Sequence, residues 1–244
     1  MGRFEGSVVL VTGSSSGIGE ATARAFDAEG ARVVVNSSSS VEAGEAVAAS
    51  LTDATYVRAD VADPDACERL VAAAVERFGG LDVLVNNAGV TQVIDHHDLD
   101  AATDEVFRRI FEVNVFGTYR LTRLAMPHLR AGGGGAVVNV TSIAGVRPTG
   151  SSIPYAMSKA ALNHMTALLA RVTGPEVRVN AVAPGAVRTP WTATWDAVHE
   201  AMKTMTAIGR SAEPEDIAPV ILDVAAAAYM TGEVVVVDGG LGLG

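Results

Sequence analysis

Val8-Val9-Leu10-Val11-Thr12 runs straight into Gly13-Ser14-Ser15-Ser16-Gly17-Ile18-Gly19, and an alanine-rich segment then continues to Gly30. The opening five residues are short, apolar and β-branched, so they read as a strand. The alanine-rich stretch reads as a helix with Gly30 as its C-terminal stop. Between the two, glycines let the backbone turn tightly and approach a ligand, while the amino end of the helix offers free N–H groups to a phosphate. A tight strand-to-helix turn also wants glycine on steric grounds alone, so the loop admits a phosphate site without requiring one.

The same alternation repeats along the chain. Arg32 to Asn36, Ala54 to Ala59, Leu81 to Val85, Ala136 to Thr141, Val177 to Ala183 and Glu233 to Val237 read as further strands. Helical stretches separate them. One is expected to start at Asp63 as cap with Pro64 as first residue and to end at Phe78-Gly79-Gly80; another runs to about Arg130 before the flexible Gly132 to Gly135; a third opens at Pro154. Strands alternating with helices mean a doubly wound α/β fold, a parallel sheet of about seven strands with helices on both faces and right-handed crossovers. No linker or repeat divides the 244 residues, so a single domain, 1–244, is expected.

Composition narrows the function. The chain is 49% hydrophobic, yet no run approaches the roughly eighteen apolar residues of a membrane span. Met1 to Ser7 leads almost at once into the first strand, leaving no room for a signal peptide, and Gly6 stands where a myristoylation signal wants Ser or Thr. Cys67 is the only cysteine, so no internal disulfide is expected and a cytoplasmic protein fits. A net charge of −10 opposes a nucleic-acid role. His96 and His97 are neighbours without an evident third ligand, so no metal site is expected.

The ends of the strands carry the candidate ligand residues. Past the second strand, Asn36, Ser37 and Ser38 offer neutral hydrogen bonds and no carboxylate. A carboxylate there would hold the ribose hydroxyls of NAD and repel a 2′-phosphate, so its absence favours NADP(H) over NAD(H), although no arginine lies in the run. The same serines also suit a helix start, since Ser39 and Glu42 have capping-box spacing. Asp60-Val61 at the third strand's end can face an adenine. Asn86-Asn87-Ala88-Gly89 after the fourth is either a turn or part of a ligand floor. Asn114 sits inside a helix, as a satisfied contact or as a kink that positions a water. Trp191 to Met205, with Trp195 and Met202, is a core helix or a lid on an apolar substrate around 187–210.

Tyr155-Ala156-Met157-Ser158-Lys159 supplies the chemistry. Residues four apart share one helix face, so the phenol and the ammonium can meet in one small volume. Sixteen arginines against two lysines, Lys159 and Lys203, argue that Lys159 is there to handle a proton, which arginine does not give up. A tyrosine titrates near ~10, and a close cation is expected to lower that. Ser142, past the fifth strand, would hydrogen-bond a substrate oxygen.

Thr12 to Gly19, Asn86 to Gly89, Asn114, Ser142, Tyr155 with Lys159, and Pro184-Gly185 together resemble the short-chain dehydrogenase/reductase family over essentially the whole chain. The resemblance implies a Rossmann-like sheet, a catalytic tetrad of Asn114, Ser142, Tyr155 and Lys159, and a homo-tetramer. It implies that Gly13, Ser15, Ser16, Ile18, Asp60, Val61, Asn87, Ala88, Gly89, Pro184, Gly185, Val187 and Thr189 line the cofactor with Asn36, Ser37, Ser38, Tyr155 and Lys159. The chain departs from NADP-using relatives at Ser16, where they often carry a basic residue. Hydride transfer between a nicotinamide cofactor and a hydrophobic alcohol or ketone is the expected reaction. Two other readings are a dinucleotide sensor without catalysis, and a reductase of acyl chains on an acidic carrier protein, docked through Arg108, Arg109, Arg120 and Arg123.

Overall fold

A computed structural model describes residues 2–243. Its seven strands are β1 (Val8–Val11), β2 (Arg32–Ser37), β3 (Ala54–Arg58), β4 (Val83–Asn86), β5 (Gly135–Val140), β6 (Val177–Pro184) and β7 (Val234–Val237). All pair in parallel, in the order β3-β2-β1-β4-β5-β6-β7. Successive side chains on a strand face opposite ways, and both faces here are apolar. Val9 and Val11 pack into one core with Phe26, Val47, Ile217 and Ile221. Val8 and Leu10 pack into the other with Leu70, Leu121 and Val179. The helices follow from that division: α1 (Gly17–Ala28), α2 (Val41–Ala49) and α8 (Pro214–Ala226) cover the first face, while α3 (Pro64–Phe78), α5 (Thr118–Ala131) and α6 (Ile153–Thr173) cover the second.

The chain steps outward from β1 to β2 and β3, then returns to β1's other side as β4. At such a reversal the loops leave in opposite directions and open a crevice at the carboxyl ends of the strands. Everything described below sits there.

Local signals account for most boundaries. Asp63 accepts from the Asp65 and Ala66 amides, and Gly79 takes φ +86 to end α3. The Ser39–Glu42 capping box does not form. Ser37 Oγ donates to the Ser40 carbonyl at 3.0 Å, folding the chain back so that Ser40 stands at the helix entrance with its own hydroxyl uncapped. The long helix to Ala131 is not uniform: α4 (Asp104–Phe111) passes through a wide π-turn, Glu112–Gly117, before α5. A β-carbon on Gly117 would lie 2.7 Å from the Val61 carbonyl oxygen, so the helix passes this loop too closely for a side chain. A buried ladder also joins the sheet to its helices. Asn86 Nδ2 donates to Asn139 Oδ1 (2.9 Å) and Thr122 Oγ1 (3.0 Å), and Asn139 Nδ2 donates to Thr166 Oγ1 (2.9 Å).

Candidate active site

A cleft of about 1520 Å³ crosses the carboxyl ends of the strands. Lining it are Gly13, Ser15, Ser16 and Ile18; Asn36, Ser37 and Ser38; Asp60 and Val61; Asn87, Ala88 and Gly89; Ser142, Tyr155 and Lys159; and Pro184, Gly185, Val187 and Thr189. Of the residues singled out in the sequence only Asn114 stands behind the wall, fully buried.

Thr12 and Asn87 build the floor. Thr12 Oγ1 accepts from the Asn87 and Ala88 amides, each at 3.0 Å, while Asn87 Nδ2 donates to the Thr12 and Gly13 carbonyls at 2.9 and 3.0 Å. The glycine loop is thereby clamped to the end of β4. Gly13 holds φ +62, and a β-carbon there would meet the Ala88 Cα at 3.0 Å. Ser16 precedes α1 but its side chain caps no amide, so the first-turn N–H groups face the cleft with only hydroxyls and no carboxylate in the loop. Uncapped amides at a helix amino end, backed by glycine, fit the pyrophosphate of a dinucleotide.

The selectivity run behaves differently from its sequence reading. Asn36 is buried, and its side chain is fully used: Oδ1 accepts from the Gly13 amide, and Nδ2 donates to the Val57 and Ala59 carbonyls at 3.1 and 3.0 Å. Ser37 Oγ is shared between the Ser40 carbonyl and the Tyr56 hydroxyl. Both side chains tie β1, β2 and β3 together, which leaves Ser38 as the member of the trio with a free hydroxyl among the described residues. The sequence reading also missed a neighbour. Arg58, paired with Ser37 in the β2–β3 register, donates Nε to the Ser38 carbonyl at 3.1 Å.

Tyr155 and Lys159 lie one turn apart on α6, which starts with Pro154 in its first turn behind Ser152, whose hydroxyl caps the Tyr155 amide. The Ser142 hydroxyl hydrogen-bonds the phenol. Lys159 is buried and donates Nζ to the Val140 carbonyl at 2.9 Å, with Nζ 5.7 Å from the Tyr155 ring centre. The expected depression of the tyrosine is not what this pair shows. Burial pushes the phenol up to about 12, opposed only by the Ser142 hydrogen bond. Burial likewise pushes the ammonium down to about 8. Losing water disfavours both charged forms more than the neighbours favour them. Near neutral pH the pair is therefore a phenol beside an ammonium.

Asn114 lies in the π-turn. Its amide spans Val90, accepting from the main-chain N–H (2.8 Å) and donating to the carbonyl (3.0 Å), and also donates to Ser158 Oγ (3.0 Å). Ser158 in turn donates to the Tyr155 carbonyl at 2.7 Å. Asn114 thus braces the helical turn between Tyr155 and Lys159. A β-carbon at Gly89 would lie 3.3 Å from Asn114 Oδ1 and 3.6 Å from Lys159 Nζ, so glycine keeps that corner open.

Beyond Tyr155 the cleft turns apolar. Trp191 stands edge-on to the Tyr155 ring with centroids 6.1 Å apart, and Val93, Ile94, Trp195, Val198 and Met202 continue the wall. The stretch Trp191 to Met205 is a short turn at Pro190–Thr192 followed by α7 (Asp196–Met205). Its ends are held by the Val187–Ala212 bridge, and buried His199 bolts its middle, with Nδ1 at 2.8 Å from Ser211 Oγ and Nε2 at 3.2 Å from the Thr192 carbonyl. Nothing in the sequence pattern marks His199, because its partners are seven and twelve residues away. The four arginines do not form one free patch. Arg108 pairs with Asp104 and Arg120 with Glu112, leaving Arg109 on the cleft and Arg123 in a groove between α5 and α6.

Comparison with known proteins agrees with this geometry. The family described as enoyl-(acyl carrier protein) reductase matches residues 13–242. A protein of Streptomyces violaceoruber assigned as ketoacyl reductase 2 of the granaticin polyketide synthase is 56% identical over 97% of this chain and 96% of its own. A 3-alpha-(or 20-beta)-hydroxysteroid dehydrogenase of Mycobacterium bovis is 40% identical over 98% of this chain and 90% of its own. Among solved structures, a short-chain dehydrogenase of Burkholderia cenocepacia in complex with NADP superposes with a TM-score of 0.91 at 34% identity, covering 98% and 99% of the two chains. The chain belongs to the short-chain dehydrogenase/reductase family and is an oxidoreductase of that family.

Proposed function

We propose that the chain reduces a hydrophobic ketone, or oxidises the corresponding alcohol, with NADP(H) preferred over NAD(H) and Tyr155 as the acid–base residue. The observation that carries this reading is the meeting of the Ser142-bonded phenol with buried Lys159 on the wall of the cleft that begins at the glycine loop. A nicotinamide dinucleotide bound along that cleft would supply or accept the hydride. Gly13, Ser15, Ser16 and Ile18 would hold its pyrophosphate, Asp60 and Val61 its adenine, and Val187 and Thr189 its nicotinamide end.

In this reading Ser142 donates a hydrogen bond to the substrate carbonyl oxygen, and Tyr155 gives that oxygen its proton as the carbonyl carbon gains hydride. Lys159 then restores the tyrosine's proton. The neutral phenol held at about 12 suits proton donation, so ketone reduction is the direction the resting site favours. Asn114 acts through Ser158, as a positioning residue. The wall of Trp191, Trp195, Val198 and Met202 receives the apolar body of the substrate, with 187–210 closing as a lid.

Loss of NADPH absorbance with a panel of cyclic and long-chain ketones tests the proposal. Turnover with any of them supports it, whereas tight NADPH binding with no turnover across the panel supports the sensor reading. A carrier-bound 3-oxoacyl substrate is a second reading, favoured by Arg109 on the cleft and by the polyketide ketoacyl reductase relative. Salt-dependent KM for a carrier-bound substrate, absent for its free thioester analogue, would distinguish it. Exposed Tyr119 on α5 with Leu168 and Val172 on α6 supports a homo-oligomer, which we propose is a tetramer in the cytoplasm.

A further inference from the structure

The cleft's outer end lacks the residue that a 2′-phosphate needs on β2, yet a cation reaches it from β3. Arg58 is exposed, pairs in register with Ser37, and lays its guanidinium across the β2 end through the 3.1 Å bond from Nε to the Ser38 carbonyl. That bond uses one of five N–H donors. Among the described residues, both terminal nitrogens lack a protein partner, and no carboxylate lies within ion-pair distance. The nearest acid on the same loop, Asp60, is turned onto its own Ala62 amide at 2.9 Å. Around the guanidinium, the Ser38, Ser39 and Ser40 hydroxyls have no protein partner among the described residues, and Ser40 leaves the first amides of α2 uncapped. Ser38, Ser39 and Ser40 all line the cleft.

A free guanidinium fork, three hydroxyls, an uncapped helix amino end and no opposing carboxylate make a receptor for a dianionic phosphate. We infer that Arg58, from the third strand, reads the 2′-phosphate of NADP(H) together with the Ser38–Ser40 hydroxyls, the task that Asn36 and Ser37 are not free to perform. The inference rests on the nicotinamide reading above and assigns its cofactor preference to one side chain.

Fluorescence titration of wild type, Arg58→Gln and Arg58→Lys with NADPH and NADH, and with 2′,5′-ADP and 5′-AMP as competitors, tests it without turnover. Wild type is expected to bind NADPH and 2′,5′-ADP more tightly than NADH and 5′-AMP. Arg58→Gln should lose about tenfold or more in affinity for the two phosphorylated ligands, as befits a charge-assisted contact at an exposed site, with NADH affinity and melting temperature unchanged. Arg58→Lys should recover part of the loss. An equal loss for NADPH and NADH, or an NADPH preference that survives in Arg58→Gln, overturns the inference alone. Wild type that binds NADH as tightly as NADPH also overturns it. Failure of wild type to bind either dinucleotide removes the nicotinamide reading and the inference with it.

Discussion

Lys159 carries its charge into a place that resists it. Its ammonium is buried and bonded only to the Val140 carbonyl, and its pKa falls to about 8 from the 10.5 of an exposed lysine. Between those two values the unfolded chain holds a proton that the folded chain has released, so folding is favoured by rising pH across that window. Below it the charged lysine costs the fold roughly 3 kcal/mol, by the free energy of that pKa difference. Lys159→Met is accordingly expected to be inactive but more stable than wild type at pH 7, by up to roughly that amount, with the advantage shrinking as pH rises from 8 towards 10. Chemical unfolding at pH 7 and pH 9.5 measures this; parallel stabilities at the two pH values contradict it. The sequence showed which residue handles the proton, since lysine is rare here, but it misjudged the balance of forces. Proximity of tyrosine and lysine can be read from spacing, whereas the depth at which both are buried cannot. The same holds for Asn36, whose amide is consumed by carbonyls that only the folded β3 brings near.

The elements divide in a similar way. Strands and helices were legible because each core face is a run of valines or an alanine-rich stripe, and Asp63, Pro64 and Gly79 punctuate α3 as their chemistry requires. The polar ladder was not legible, because Asn86, Asn139, Thr122 and Thr166 come from four separate elements. Asn139→Ala would strand the Asn86 amide and the Thr166 hydroxyl without their partner in a dry interior, at a cost of about 2–3 kcal/mol. Urea unfolding checks it, and a loss below about 0.5 kcal/mol would show that the ladder is dispensable. Around α7, His199 holds the wall against Thr192 and Ser211. His199→Ala is expected to raise KM for the ketone severalfold while the dinucleotide Kd stays unchanged, because the bolt touches the substrate wall and not the glycine loop. Loss of dinucleotide affinity in that variant would show that the segment serves the cofactor end.

For the molecule as a whole, the reversal of strand order at β1 and β4 gathers loops from distant parts of the sequence along one crevice. Motif order made that arrangement readable in advance, since each glycine- or asparagine-bearing loop follows a strand. Surfaces beyond the cleft were not readable: Leu168 and Val172 look in sequence like ordinary helix residues but stand 55% and 69% exposed. Apolar area of that kind on a helix pair marks an interface. Leu168→Glu is expected to lower the oligomeric mass seen by light scattering without altering the monomer's circular dichroism, and an unchanged mass would place the interface elsewhere. The whole arrangement stands or falls on the phenol over the cleft. Tyr155→Phe, which removes one oxygen atom and keeps the ring packed on Trp191, should bind NADPH as wild type does and lose at least a hundredfold in single-turnover reduction of a ketone substrate. Undiminished reduction by that variant would contradict the account.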